Sequence, residues 1–293
     1  MPKSTFYLFA GNLKNLFNYE PKNNKGRGAT PLSHTSISNT YEDFVKGFHP
    51  KSGLDLKFYK QNQMQRRILS FMNSHGHQTY PGFLHALNVD PVLYDAFFKH
   101  LTINVSQFFR DATQWKTLRE TIFPLLLKNK PSLKLWSAGC SSGQEPYSLA
   151  MTIMEYFSNA KFSILGTDID VNVLRQAKDG LYKQNDFAST PPEFLQKYFT
   201  PSDKGHQLKD SVKRQVNFQH QNLLTDRFQT DFDFIACRNV VIYFTEEAKE
   251  MLYKKFTDSL RSGGILFTGS TEHLFGLNHL GLKPVSSFFY QKQ

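Results

Sequence analysis

The sequence of 293 residues contains only two cysteines, Cys140 and Cys237, and no long apolar run. Two thiols are too few for the disulfide framework of a small secreted domain. The longest apolar stretches, such as residues 122–127, fall far short of the roughly 18 residues that a membrane span needs. Near the N-terminus only residues 6–10 are continuously apolar, which is too short for a signal-peptide core. We therefore expect a cytoplasmic protein that does not insert into a membrane.

Aromatic and basic residues are plentiful. Hydrophobic residues make up 40% of the chain and include 28 phenylalanines, enough for a large aromatic core. The 35 Lys and Arg residues outnumber the 25 Asp and Glu residues, which leaves a net charge of +10. Such a charge is typical of proteins that bind nucleic acid, an anionic membrane or an acidic protein. Residues 1–40 alone hold five basic residues and one acidic residue, so part of the charge belongs to this segment.

The first part of the chain has no strand-like alternation. Residues 20–40 are rich in Asn, Gly, Ser, Thr and Pro, and we predict a disordered tail or linker over residues 1–40. Residues 41–102 predict a small all-α domain, and residues 103–130 a connecting segment. The predicted helices span residues 41–48, 57–73, 83–87, 91–101 and, in the connecting segment, 113–128.

From residue 131 to residue 293, short apolar strands alternate with helices, which predicts an α/β domain with a doubly wound, largely parallel sheet. The predicted strands span residues 133–136, 162–166, 216–218, 232–236, 265–269 and 288–291, and the helices span 146–157, 171–178 and 246–260. Residues 199–219 interrupt this alternation. They fit either a small β-excursion beside the sheet or a plain loop.

A strand, a turn with two glycines and a helix follow one another between Leu135 and Ser148. In doubly wound folds, ligands bind at the C-terminal ends of the strands, where this turn lies. Gly139 permits close approach of the backbone to a ligand, and Gly143 permits an unusual dihedral angle. No lysine follows either glycine, as a P-loop requires, and the spacing differs from the dinucleotide-binding fingerprint. The turn therefore fits a ligand site or a structural connection.

Two other strands end in polar residues. Asp168 follows a predicted strand at the position where an acidic residue often accepts hydrogen bonds from a ribose, while Asp170 suits the cap of the next helix. Arg238, Asn239 and Tyr243 follow the apolar strand at 232–236 and would emerge at the same edge of the sheet. No Pro-Pro-aromatic motif, typical of nucleic-acid amino-methyltransferases, follows this strand.

These segments resemble the CheR-type chemotaxis-receptor glutamate O-methyltransferases, which use S-adenosylmethionine. The resemblance covers residues 41–293 and rests on blocks at residues 102–110, 136–151, 166–170, 237–244 and 262–272. It implies a Rossmann-like methyltransferase domain preceded by a small all-α domain. It also implies methyl transfer to glutamates in the cytoplasmic helices of receptors, with S-adenosylhomocysteine as product. We expect a monomer that needs neither a metal nor a nucleic acid.

The resemblance implies roles for individual residues. Asn104, Ser106 and Arg110 would reach over the cofactor from the connecting segment, and Ser106 keeps the hydroxyl of the threonine that the family more often has there. The remaining cofactor contacts would come from Glu145 at the methionyl end, Asp168 at the ribose, Asn222 and Leu223 beside the adenine, and Arg238 and Asn239 in the pocket, together with the glycine turn at Gly139. Arg110 and Tyr243 are the candidates for orienting the substrate carboxylate.

The predicted helix at 57–73 carries basic residues on one face and apolar residues on another. Lys60, Arg66 and Arg67 form the basic face, and no acidic residue lies between Leu56 and Val89. Such a face is either simply solvated or a docking surface. The resemblance favours docking of acidic receptor helices.

Two alternatives stay open from the sequence. One is an S-adenosylmethionine-dependent methyltransferase of a small molecule or nucleic acid, and the other is a non-catalytic module that binds this cofactor. The stretch between Phe199 and Gly205 looks shorter than in family members that grip a receptor's C-terminal tail. We therefore expect methylation that does not depend on such a tail.

Overall fold

Ten strands form two sheets in the computed structural model, which describes residues 34–128, 130–272, 274 and 277–293. The strands are β1 (Ser132–Ala138), β2 (Lys161–Asp168), β3 (Leu181–Tyr182), β4 (Phe199–Ser202), β5 (Gly205–Leu208), β6 (Val216–His220), β7 (Phe232–Cys237), β8 (Leu260–Thr268), β9 (Leu282–Ser286) and β10 (Phe289–Lys292). The larger sheet has the order β6-β2-β1-β7-β8-β10-β9. The first five strands in this order, β6, β2, β1, β7 and β8, run parallel to one another. Strand β10 is antiparallel to both β8 and β9. The predicted doubly wound α/β fold is confirmed.

The α-helices precede the strands or lie between them. They are α1 (His34–Ser52), α2 (Gln61–Ser74), α3 (Tyr80–Val89), α4 (Pro91–Thr102), α5 (Ala112–Thr117), α6 (Phe123–Leu127), α7 (Gln144–Tyr156), α8 (Val171–Asp179), α9 (Pro192–Tyr198), α10 (Asp210–Lys213) and α11 (Glu246–Ser259). No helix among the described residues is both long and apolar enough to cross a bilayer. Residues 39–293 form one compact unit.

Alternation along the buried strands builds a core on each face of the larger sheet. Leu133 and Leu135 of β1 belong to one cluster of buried side chains, while Trp136 and Ala138 belong to another. A third cluster, centred on stacked and edge-to-face phenylalanines such as Phe83, lies within helices α1–α4. These helices therefore have a core of their own, as the predicted all-α domain requires.

The helical region differs from prediction at two places. Helix α1 begins at His34, earlier than the predicted start at Tyr41, and the rest of the predicted tail, residues 1–33, lies outside the described residues. The predicted helix at 57–73 is interrupted, because a short 3₁₀ turn at Leu56–Phe58 precedes α2 and Tyr59 leaves the helical path to form a β-bridge with Phe244. Tertiary pairing here overrides the local helical pattern.

The connecting helix is continuous but irregular. Between α5 and α6 the chain makes a π-helical turn over Leu118–Ile122. Pro124 follows this turn and has no N–H to donate to the preceding turn of helix, which explains the local change in hydrogen-bond spacing. Wider helical turns of this kind commonly accommodate such a missing donor.

The interruption of the alternating pattern is a small antiparallel sheet with the order β3-β5-β4. The β-excursion is therefore present, but its bounds differ from the predicted range of 199–219, because its strands lie at residues 181–182, 199–202 and 205–208. Residues 216–220 form β6, which pairs with β2 in the larger sheet. Strands β3 and β9 and helix α9 had no clear pattern in the sequence.

Candidate cofactor and active site

A deep cleft lies at the C-terminal ends of β1, β2 and β7. It holds about 1190 Å³ of space, its open mouth included, which suits a small-molecule cofactor together with a substrate side chain. All residues predicted to bind the cofactor or orient the substrate line this one cleft: Asn104, Ser106, Arg110, Gly139, Glu145, Asp168, Asn222, Leu223, Arg238, Asn239 and Tyr243. The fold thus brings together side chains from distant parts of the sequence.

The glycine turn shapes the floor of the cleft. Gly139 has a φ of +74°, and a Cβ at this position would lie 2.4 Å from Val240 Cγ2. Gly143 has a φ of +89°, and its Cβ would lie 2.9 Å from the Cβ of Ala177. Both positions therefore need glycine for conformation and for space. The neighbouring Ser141 adopts a left-handed conformation although it has a side chain, with a φ of 49°.

Asp168 is buried at the end of β2, with 8% of its surface exposed. Its carboxylate accepts hydrogen bonds from the backbone N–H groups of Ser141 at 2.8 Å and Asp170 at 3.0 Å. Burial raises the pKa of Asp168 to about 6, although these backbone donors act in the opposite direction. Asp170 caps α8 through Asn172 N–H, as predicted. The two aspartates therefore have different roles.

Arg238 holds the connecting segment against the sheet. Its guanidinium donates to Glu145 Oε2 at 3.3 Å, to the Arg110 carbonyl at 3.1 Å, to Asp111 Oδ2 at 2.7 Å and to Gln114 Oε1 at 3.0 Å. The side chain is almost completely buried. Arg238 lines the cleft, but much of its hydrogen-bonding capacity is used within the protein.

Asn104 and Asn222 also form contacts that the sequence did not indicate. Asn104 Nδ2 donates to Asp170 Oδ2 at 2.8 Å, which fixes the connecting segment to the end of β2. Asn222 Nδ2 donates to the carbonyl of Gly53 at 2.9 Å, and its Oδ1 accepts from Leu224 N–H at 3.0 Å. Both side chains therefore position neighbouring segments of the cleft wall.

Tyr243 is half-buried between two arginines. Burial raises the pKa of the Tyr243 hydroxyl, while the charges of Arg67 and Arg110 lower it in part. The net shift is upward from the ordinary value of 10.0, so the hydroxyl keeps its proton at neutral pH. Tyr243 can therefore donate a hydrogen bond to an anion in the cleft, and it is not a base.

The helical region supplies one wall of the cleft, which sequence reasoning missed. Tyr59 packs edge-to-face on Phe244 with the ring centroids 5.0 Å apart. The backbone continues this contact, because Lys60 N–H donates to the Tyr243 carbonyl at 2.9 Å and Thr245 N–H donates to the Phe58 carbonyl at 2.9 Å. Burial, together with the charges of Asp168 and Asp55, raises the pKa of Tyr59. No local signal marks Tyr59, since its partners are remote in sequence.

The three predicted docking residues do not share one open face. Lys60 precedes α2 as its N-cap residue, and Arg66 is exposed on the helix. Arg67 is partly buried, and its guanidinium donates to the carbonyl of His100 in α4. Burial lowers the pKa of Arg67. Leu69, an apolar residue of the same helix, is 36% exposed.

Comparisons with known proteins agree with this architecture. The family model described as CheR methyltransferase, SAM binding domain, matches residues 104–286, and the model described as CheR methyltransferase, all-alpha domain, matches residues 39–102. A chemotaxis protein methyltransferase of Listeria monocytogenes is 40% identical over 257 residues, which are 87% of this chain and 98% of that protein. One from Borreliella burgdorferi is 30% identical over 250 residues, covering 80% of this chain and 88% of that protein. One from Escherichia coli is 30% identical over 239 residues, covering 77% and 81%.

Proposed function

This chain belongs to the CheR methyltransferase family, and we propose that it methylates glutamate side chains in the cytoplasmic helices of chemotaxis receptors. It is an S-adenosylmethionine-dependent methyltransferase. Its product from the cofactor is S-adenosylhomocysteine. The proposal includes a monomeric enzyme that acts in the cytoplasm and does not use nucleic acid as substrate.

The chemistry of the cleft wall fits S-adenosylmethionine. Asp168 would accept hydrogen bonds from the ribose hydroxyls, and Glu145 would face the positively charged methionyl end. Leu223 is buried beside the cleft and gives the adenine an apolar surface. Three polar atoms of the wall, Ser141 Oγ, Gln221 Oε1 and Arg238 Nε, are buried without a hydrogen-bond partner among the described residues. Buried polar groups normally have partners, so these atoms are further evidence of a polar ligand.

The observation that carries the choice of substrate is the combination of Arg110 and Tyr243 in the same cleft. When bound, the cofactor supplies a methyl group on a sulfonium. A glutamate carboxylate is already ionised at neutral pH, with a pKa near 4.3 in model peptides, so no general base is needed. Arg110 would hold the carboxylate by a charge-assisted hydrogen bond, and the protonated Tyr243 hydroxyl would donate a second one.

Catalysis would then come mainly from orientation. Holding two reactants in line contributes up to roughly 7–11 kcal/mol to lowering a barrier. Asp168, Leu223 and Arg238 are buried and would keep water from one side of the reacting groups. The proposed tasks of this chain are therefore to desolvate the carboxylate and to aim one of its oxygens.

The direct test is transfer of labelled methyl groups from S-adenosylmethionine to purified receptor cytoplasmic fragments, with the full chain as enzyme. We expect label on the fragments that alkali releases as methanol, because a glutamate methyl ester hydrolyses under these conditions. Receptor fragments with glutamine at the acceptor glutamates are the matched control and should take up no label. Labelling of an RNA pool or of small metabolites instead would contradict the proposal, and so would cofactor binding without any transfer.

A further inference from the structure

Glu272 is a buried carboxylate beside the cleft that is not among the proposed cofactor or substrate contacts. It follows β8 and is 4% exposed. We propose that Glu272 is a positioning residue, which holds the turn after β7 so that Asn239 and Tyr243 face the cleft. This inference rests on the proposed function of the cleft, since Tyr243 is the group that it is meant to aim.

Both oxygens of Glu272 accept hydrogen bonds from backbone N–H groups. Oε2 accepts from Asn239 at 2.8 Å and from Gly269 at 2.8 Å, and Oε1 accepts from Val241 at 3.0 Å. Two of these donors belong to the turn that joins β7 to Tyr243. A single carboxylate therefore fixes two N–H groups of that turn, at Asn239 and Val241.

The turn needs such a partner. Beyond Cys237 the chain leaves the sheet, so its N–H groups lose the neighbouring strand as acceptor. Asn239 also has a left-handed conformation, with a φ of 59°, which few residues with a side chain adopt. Contacts that determine the backbone tightly are required to maintain such a conformation.

The site accommodates the carboxylate closely. A Cβ on Gly269 would lie 2.6 Å from Glu272 Oε2 and 3.0 Å from the Asn239 nitrogen, so only glycine lets the two segments meet. Among the described residues, no basic side chain forms an ion pair with Glu272. Burial raises the pKa of this carboxyl, and the N–H groups of Asn239, Gly269, Ile242 and Val241 lower it. Backbone N–H groups, and not a basic side chain, therefore partly offset the negative charge of Glu272.

The chain offers a matched control in Asp233. This residue is 0% exposed and lies at the opposite end of β7 from the turn. It accepts from the Lys134 N–H at 2.7 Å and pairs with Lys130 and Arg261. Losing this carboxylate removes a comparable set of buried hydrogen bonds without touching the cleft.

The experiment compares Glu272→Gln with Asp233→Asn in the full chain. Glutamine keeps the shape of the side chain but turns an amide donor toward a backbone N–H. We expect kcat for receptor methylation to fall about 10- to 100-fold through Tyr243, and the Kd for S-adenosylmethionine to rise about tenfold through Asn239. Asp233→Asn should lower the melting temperature and leave both quantities unchanged.

A double-mutant cycle separates positioning from general destabilisation. If Glu272 acts through Tyr243, the variant combining Glu272→Gln with Tyr243→Phe should lose clearly less kcat than the product of the two single losses. Losses that multiply fully would overturn the inference, as would a folded Glu272→Gln variant with the kinetics and cofactor affinity of Asp233→Asn.

Two further controls keep the result clear. If Glu272→Gln does not fold, Glu272→Asp retains the charge and both acceptor oxygens but withdraws them by one methylene, and the same kinetic comparison applies. If the wild-type chain fails to methylate receptor fragments, the proposed substrate is wrong. The cofactor affinity of the two variants then still tests Glu272, because that measurement needs no methyl acceptor.

Discussion

Two aspartates are buried at opposite ends of the parallel strands of the larger sheet, and the protein holds them in opposite ways. Asp233 lies near the N-terminal end of β7, and Asp168 lies at the C-terminal end of β2. At the N-terminal end, Asp233 is paired with Lys130 and Arg261, and although burial raises its pKa, the Lys134 N–H and these cations lower it overall. At the C-terminal end, Asp168 has backbone donors and, among the described residues, no ion pair. Its pKa is raised to about 6. One carboxylate is paired with basic side chains, whereas the other, which we propose to bind the cofactor ribose, is held by backbone N–H groups.

This difference separates buried carboxylates that stabilise the fold from those that we connect with binding. A buried charge is stabilising only when the protein pairs it and satisfies its hydrogen bonds. Asp233 meets this condition through Lys130, Arg261 and the Lys134 N–H, and its pKa is lowered. Asp168 and Glu272 accept from backbone N–H groups at the cleft but have no ion pair among the described residues, and their pKa values stay raised. Carboxylates held by turns are therefore the ones that we connect with function.

The largest expected effect is on cofactor affinity. We expect Asp168→Ala to weaken S-adenosylmethionine binding tenfold to about a hundredfold, because the loss of a buried hydrogen bond to a charged group costs about 1.5–3 kcal/mol. Calorimetry on the folded variant measures this directly. Asp233→Ala should bind the cofactor like the wild type but melt at a lower temperature. Unchanged affinity in Asp168→Ala would disprove the ribose assignment. Weakened affinity in Asp233→Ala would show that the two aspartates do not differ in their connection with cofactor binding.

The pH dependence of cofactor affinity and of stability should distinguish Asp168 from Asp233. Because the folded pKa of Asp168 is raised to about 6, cofactor affinity should fall as the pH drops below that value, by up to about tenfold per pH unit. Its contribution to stability has the opposite sign: it is fully present below the unfolded pKa near 3.8 and is lost as the pH rises through about 6.

Asp233 should behave in reverse. Its folded pKa lies below 3.8, so its contribution to stability is present above that pH and is lost as the pH falls through the folded pKa. Affinity curves between pH 4 and 7, and melting curves from well below pH 3.8 up to pH 7, provide the check for the wild type, Asp168→Asn and Asp233→Asn. An Asp168→Asn variant that keeps the wild-type pH dependence of affinity would refute this attribution.

Part of the site could be predicted from the sequence, and part depends on contacts between remote segments. The ends of parallel strands converge at one edge, so Asp168, Arg238 and Tyr243 could be placed in one site from the pattern alone. Tyr59 and the buried position of Arg67 could not, because they depend on how the helical region packs against the sheet. The link from Glu272 to the turn was equally hidden, since it joins segments that no local pattern connects.

A moderate effect is expected at the basic helix, where the sequence grouped Arg66 with Arg67. Arg66 is exposed, so Arg66→Glu should raise the KM for receptor fragments several-fold at low salt and leave cofactor affinity unchanged. The KM of the wild-type enzyme should likewise rise with salt, because screening weakens exposed charge pairs. Arg67→Glu should instead lower the melting temperature, since it breaks the contact with His100.

Charge reversal at Lys60 provides a second measurement for this docking surface, because Lys60 adjoins α2 without being part of it. It should act in the same direction as Arg66→Glu. A change in cofactor affinity at constant receptor KM in either variant would contradict docking. Equal effects of Arg66→Glu and Arg67→Glu on KM, with no loss of stability, would remove the distinction between the exposed and the partly buried arginine.

The smallest expected effect is on binding of a receptor's C-terminal tail at β4, which is an outer strand of the small sheet. Leu208 N–H donates to the Gly180 carbonyl on the β3 side, so the alternate residues Thr200 and Ser202 of β4 are those that bond to β5. The outward-facing positions are therefore Phe199 and Pro201. The Phe199 N–H already donates to the Leu195 carbonyl, and Pro201 has no N–H to offer an added strand.

We accordingly expect deletion of the receptor's C-terminal tail to leave methylation unchanged, and isolated tail peptides to show no saturable binding. The measurement is peptide titration with mapping of the affected residues, in parallel with the KM for intact and tail-deleted receptor. Pro201→Ala is the matched variant, because it restores the missing donor without altering the charge. Micromolar binding to the wild-type chain at residues 200–208 would contradict this prediction, and it would show that the edge at β4 binds a ligand, as we propose for the cleft.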